Sequence, residues 1–238
     1  MIDRNGMALR HELKYNVNEM QYHLLRNKLK TVLKRDPHSG HDGRYHIRSL
    51  YFDDFRNTAL FEKQAGINRR KKYRMRIYNL SDKVIKLECK FKFDSYVSKE
   101  TVNLTREMAD RIISGDVSFL LKSDKRLLRV FYLEHRRNVL RPNVIVDYYR
   151  EAFIHPVGNV RITFDIGLHT GIHSVDLFNS DIFTMGISDY PIILEIKYDN
   201  VLPGIVRDLL PGTIQPRFAI GKFVISKKFS KYNDWEDQ

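Results

Sequence analysis

A chain of 238 residues, 42% hydrophobic and 12% aromatic, can bury a substantial core, which excludes a disordered polymer. Lys and Arg number 41 against 29 Asp and Glu, a formal charge of +12, so the expected partner is an anion: nucleic acid, a membrane surface or a phosphorylated small molecule. The single cysteine, Cys89, excludes an internal disulfide and a cysteine-rich zinc site; with no secretory-type opening and no long apolar run, the expected setting is cytoplasmic.

The first predicted strand is "RHELKYNV" (10–17), with Arg10, Glu12 and Lys14 on one face and Leu13, Tyr15 and Val17 on the other. Asn18 opens a helix with Met20, Leu24, Leu25, Leu29, Val32 and Leu33 at helical spacing. "RYHIRSLYFD" (44–53) reads as a strand with Arg48 in its middle, and "DDFRNTALFEKQAG" as a helix stopped by Gly66. "KYRMRIYN" (72–79) and "VIKLECKFKF" (84–93) then form a hairpin. One face of it carries Lys72, Arg74 and Arg76 against Lys86, Glu88, Lys90 and Lys92.

A strand "YVSKETVNL" (96–104) precedes a helix capped by Thr105, and "SFLLKSDKRLLRVFYLEHRRN" reads as one or two helices. Three strands follow: "NVIVDYYREAF" (143–153), "NVRITFDIGL" (159–168) and "PIILEIKYD" (191–199). Arg150 shares a face with Tyr148; Arg161, Thr163 and Asp165 share another; Glu195 and Lys197 a third. "LPGIVRDLLPG" is a short helix. At least eight strands with short turns predict a largely antiparallel α+β protein, and closure into a barrel removes exposed edges.

Like charges opposite each other in a sheet are destabilising, so the cationic faces need a reason. Each face, taken alone, is compatible with the solvated side of a half-exposed sheet. Taken together, Arg and Lys dominate, with about one acid per strand. A closed barrel, apolar side out under helices and charged side in, is the other solution. Interior cations at low dielectric require a polyanion and water. Interior carboxylates among them suit a divalent cation with oxygen ligands. Phosphate chains carrying a metal meet both demands.

"RHELKY", "YRMRIY", "LECKFK", "YYREAF" with "VRITFD", "LEIKYD" and "KKFSKY", in that order, resemble the catalytic domain of the vacuolar transporter chaperone (VTC) family, polyphosphate polymerases of the triphosphate tunnel (CYTH-like) superfamily. The resemblance implies a single domain, residues 8–233, with an eight-stranded antiparallel barrel and helices outside. It implies transfer of the γ-phosphate of ATP to a growing polyphosphate chain with Mn2+ or Mg2+, and pyrophosphate or polyphosphate as acceptor. Carried over by motif, Lys14, Arg74, Arg76, Lys90, Arg150 and Arg161 would grip phosphates. Glu195 would hold the metal, joined by Glu12 and Glu88 as further candidates, and Lys228, Ser230 and Lys231 would meet phosphate or the exiting chain. Arg48 and Lys92 share the pattern as substrate-binding candidates, as do Arg10, Lys72 and Lys86 more weakly. Glu12, Glu88 and Asp165 are each either a ligand or a counter-charge.

The superfamily's opening "ExExK" is here Arg10, Glu12, Lys14, which loses one acid and gains one cation, a departure that suits the polymerase branch. With no regulatory domain read before residue 8 and no membrane domain after residue 233, membrane translocation of a product by this chain alone is not expected, and whether a separate membrane partner exists is left open. Two rival functions remain: hydrolysis of triphosphate or nucleoside triphosphate in the same tunnel, and non-catalytic binding of polyphosphate or inositol phosphates. Nucleic acid is not expected, because the strand aromatics fall mostly opposite the bases, where they offer no stacking platform.

Overall fold

The computed structural model describes residues 9–94, 96–171, 174–189, 191–210 and 221–233, without the side chains of 231–233. In chain order the elements are β1 (Arg10–Val17), α1 (Glu19–Val32), β2 (Lys34–Arg35), β3 (Arg44–Asp53), α2 (Thr58–Gln64), β4 (Arg69–Tyr78), β5 (Ser81–Phe93) and β6 (Tyr96–Leu104). Then come α3 (Arg106–Ser114), α4 (Arg126–Asn138), β7 (Arg141–His155), β8 (Val160–Gly171), β9 (Thr184–Gly186), β10 (Ile192–Tyr198), α5 (Gly204–Leu209) and α6 (Lys222–Asn233).

The local chemistry explains the boundaries. Asn18 accepts from the Gln21 amide while the Gln21 side chain accepts from the Asn18 amide, a reciprocal cap that starts α1. Thr105 caps α3 through the Met108 amide, and Gly115, at φ 90°, ends it in the left-handed region. The β4–β5 hairpin turns through two residues, Asn79 (φ 51°) and Leu80 (φ 53°). A two-residue turn of this hand demands positive φ at both positions; Asn tolerates that and Leu does not.

Every pairing in the sheet is antiparallel, and the strand order is β2-β7-β3-β4-β5-β6-β1-β10-β8-β9. An additional β7–β8 pairing closes the eight long strands into a ring, leaving β2 and β9 as appended edges. The apolar side of the ring points outward. Leu50, Phe52, Tyr73, Met75, Leu87 and Cys89 pack beneath α3 and α4, where Phe131 meets Phe52 and Tyr73 edge-on at 5.2 and 5.4 Å. Leu194, Ile196, Ile162 and Phe164 pack beneath α1 through Tyr22, Leu25 and Leu29.

A third apolar cluster sits on the inner side. Tyr45, Ile47, Val144, Val146 and Ile193 surround Phe223, Val224 and Ile225 of α6. The C-terminal "KKFSKY" motif therefore belongs to a helix whose first turn packs inside the ring, an element the strand-dominated sequence pattern did not reveal.

Candidate active site: a charged cavity inside the ring

Alternation sends one face of each strand inward, and the inward residues enclose a cavity of about 620 Å³. Lys14, Arg74, Arg76, Lys90, Arg150, Glu12, Glu195 and Lys92, all singled out from sequence, line it together. Two walls of different charge balance result.

The first wall, from β1, β8 and β10, carries the acids. Lys14 Nζ lies 2.9 Å from Glu12 and 3.4 Å from Glu195. Lys90 reaches Glu12 from β5 at 2.6 Å, and Lys197 stands 3.4 Å from Glu195. Burial and Glu195 push Glu12 upward, but Lys14, Lys90 and Lys197 outweigh them and bring it down to about 2. Glu195 is likewise held well below the usual carboxylate range: burial raises it, and Lys197 and Lys14 lower it further. Burial alone would depress Lys14, yet Glu12 and Glu195 keep it charged, above its ordinary range. Behind this wall, Asp165 accepts from Arg150 at 2.6 and 2.8 Å and pairs with Lys222. Burial opposes its ionisation, but Arg150 and Lys222 bring it to about 2.

The second wall, from α2, β4 and β5, lines the cavity with cations alone: Lys63, Arg70, Lys72, Arg74, Arg76, Lys90 and Lys92. Lys72 is pushed down to about 7 by burial and then by Lys14, Lys90, Lys63 and Arg70. Lys90 also falls to about 7, burial and Lys14 prevailing over Glu12 and Glu195. Lys63 falls to about 8, from burial and its cationic neighbours Arg70, Lys92 and Lys14. Half-buried cations crowded in this way hold their protons more tightly when an anion binds beside them.

Arg74 and Arg76 stand at the inner end of this wall. Arg74 donates to Glu88 at 2.6 Å and to the Tyr51 hydroxyl at 3.1 Å; Arg76 donates to Ser49 Oγ and Tyr148 Oη at 3.0 Å each. Glu88 is fully buried and held by Arg74 and by Lys99 at 2.7 Å. Its partners share no member with those of Glu12 and Glu195.

Other expected residues lie elsewhere. Arg48 is paired in register with Ile77 and Asp147, on the outer side with Leu50, and bonds Asp147 at 2.9 Å. A two-residue period read from an arbitrary start had left its face open. Arg161 points inward but engages Asp36 and the Tyr45 hydroxyl rather than the cavity. Lys228 is exposed, Ser230 Oγ donates to the Ser226 carbonyl, and the Lys231 side chain lies outside the described residues. Sequence reasoning passed over Lys222, Lys63, Arg70, Tyr51 and Tyr148, all of which line the cavity, and it read Lys197 only as a partner for Glu195. Lys72, already a weaker candidate through the strand face it shares with Arg74 and Arg76, lines the cavity too, while Lys63 and Lys222 sit on helices that no strand period could bring inward.

Glu12 and Glu195, both reaching Lys14, fit a divalent cation that arrives with phosphate oxygens. No cluster of three or more His, Cys, Asp or Glu occurs among the described residues, so an all-protein cage is not what this site offers.

A closed antiparallel ring with a cation-lined interior defines the triphosphate tunnel class. Within that class, the chain belongs to the VTC domain family, whose profile matches residues 9–233, and this ties it to polyphosphate- or triphosphate-type chemistry. It is similar to the PH1819 protein from Pyrococcus horikoshii OT3, at 13% identity and a TM-score of 0.48 over 93% of this chain and 99% of that one. It is also similar to a Bacillus halodurans structure described as a candidate adenylate cyclase, at 12% identity and a TM-score of 0.49 over 98% and 89%. No curated protein matches the sequence.

Proposed function

We propose that this chain is a cytoplasmic polyphosphate polymerase, residues 8–233 acting as one domain that transfers the γ-phosphate of ATP to a polyphosphate or pyrophosphate acceptor inside the cavity. The observation that carries this reading is the run of cations Lys63, Arg70, Lys72 and Lys92, joined by Lys90, which reaches Glu12, in the same cavity as the Glu12–Glu195 pair. A chain of phosphates offers the repeated negative charge that such a wall lacks.

Phosphoryl transfer asks for in-line positioning and charge stabilisation more than for covalent help. Arg74, Arg76 and Arg150 each have a fork suited to two phosphate oxygens, whereas Lys14 and Lys90 act as point charges. Their anchors fix them before substrate arrives: Glu88 and Tyr51 hold Arg74, Ser49 and Tyr148 hold Arg76, and Asp165 holds Arg150. Glu195 and Glu12 would hold Mn2+ or Mg2+, which when bound supplies Lewis-acid polarisation of phosphate oxygens. The acceptor is already an anion near neutral pH, so no general base is required.

The test is incubation of pure protein with ATP and Mn2+, followed by a gel for long-chain polyphosphate and an assay for free phosphate. Polymer is expected. Phosphate without polymer would instead make the chain a triphosphatase, and binding without either product would make it a binding module.

A further inference from the structure

The outer face of α4 presents a second cationic surface, on the far side of the sheet from the cavity. Leu127, Leu128 and Phe131 bury one side of the helix against the outer core. At 100° per residue, Arg126, Arg129, Leu133, Arg136 and Arg137 fall on the opposite side, and all five are exposed. A solvated helix face ordinarily mixes acids and bases at i,i+4, and its first turn favours acids. Here the stripe contains no acid and α4 has none in its first turn.

Only Arg126 of the stripe has a carboxylate partner among the described residues. Arg126 meets Glu100 at 2.7 Å, and Arg129 donates to the Ser123 carbonyl at 2.6 Å. Among the described residues, no carboxylate lies within ion-pair distance of Arg129, Arg136 or Arg137. Beneath them His135 is pushed down by burial and then by Arg136 and Arg141, with no acid opposing. Leu133, 43% exposed, sits mid-stripe.

We propose that the α4 face docks the chain peripherally on an anionic phospholipid surface, the arginines on headgroup phosphates and Leu133 at the interfacial boundary. Arginine's fork suits phosphodiester oxygens. Leu133 decides between anions: a soluble polyanion gains nothing from it, whereas a bilayer interface does. Among the described residues no helix is long and apolar enough to cross a membrane, so α4 lies along the surface.

Co-sedimentation with vesicles of pure phosphatidylcholine and of phosphatidylcholine with phosphatidylserine tests this. Wild type should bind only the latter, more weakly as salt rises. The Arg136→Gln/Arg137→Gln double variant should bind about 25-fold more weakly, from about fivefold per arginine near a charged leaflet. Leu133→Gln should also weaken binding, and cavity activity should be unchanged in both. Lys28→Gln/Lys30→Gln, which removes the same charge from the exposed side of α1, should bind like wild type. Equal loss in the α1 and α4 doubles would overturn the proposal in favour of bulk charge, as would absence of binding by wild type. Inorganic polyphosphate binding that drops in the α4 double, with vesicle binding intact, would overturn it in favour of a soluble polyanion.

Discussion

Lys72 and Lys90 are direct register partners on β4 and β5, both facing the cavity, and Lys90 is in turn opposite Lys99 on β6. A row of three lysines across three neighbouring strands opposes strand pairing. Lys99 has Glu88 and Lys90 has Glu12, but among the described residues Lys72 has no carboxylate partner; it lies instead over the Phe223 ring at 4.7 Å. Lys72 is thus the most uncompensated cation of the row, and it yields the sharpest contrasts between stability and binding.

Lys72→Gln should stabilise the ligand-free protein by about 1 kcal/mol through relief of the cross-strand repulsion. The same change should weaken tripolyphosphate binding at least about tenfold, since a charge-assisted hydrogen bond is lost. Thermal melts with and without tripolyphosphate check both signs at once.

Polyanion binding should consume protons. Burial and cationic neighbours push Lys72 and Lys90 down to about 7, and a bound polyphosphate should raise both. Above pH 7 the complex therefore holds up to two more protons than the free protein, and affinity falls as pH rises. Calorimetry at pH 8 in buffers of different ionisation enthalpy should read net proton uptake, reduced by about one in Lys72→Gln.

For folding, the signs are opposite at the two ends of the pH scale. The depressed lysines bind fewer protons folded than unfolded between about 7 and their ordinary value of 10.5, so ligand-free stability should rise across that window. Glu12 and Asp165, at about 2 when folded, contribute stability that is complete above their ordinary values of 4.5 and 3.8 and lost as pH falls through 2. Urea midpoints against pH should follow both trends, and tripolyphosphate should flatten the alkaline one.

Leu80→Gly should stabilise the protein by about 1 kcal/mol, because the second turn position requires a positive φ that Leu adopts only with strain. Chemical denaturation measures it; no gain would mean the turn relaxes around Leu80.

Much of this site was legible because the two-residue strand period is a strict geometric rule. Once the ring closes, every inward residue is settled by parity, which is why Lys14, Arg74, Lys90 and Glu195 converge. Parity failed where the phase was unmarked: Arg48 shares the outer face with Leu50 and is balanced by Asp147, a partner 99 residues away. Glu88 could be placed on the inward face, but that Lys99 and Arg74 both reach it is a matter of side-chain geometry. Lys222 was illegible because α6 enters the ring through tertiary packing of Phe223, Val224 and Ile225, which has no local sequence period.

The most direct measurement is 31P NMR of ATP turnover by the purified protein with Mn2+ and a pyrophosphate primer, in wild type and Glu195→Gln. The account predicts that the γ-phosphate signal of ATP is replaced by that of internal polyphosphate units in wild type, with a loss of at least about 100-fold in Glu195→Gln. In metal-free buffer that variant should bind tripolyphosphate more tightly, one repelling carboxylate having been removed. ATP left intact by wild type, or turned over at an unchanged rate by Glu195→Gln, would contradict the central claim.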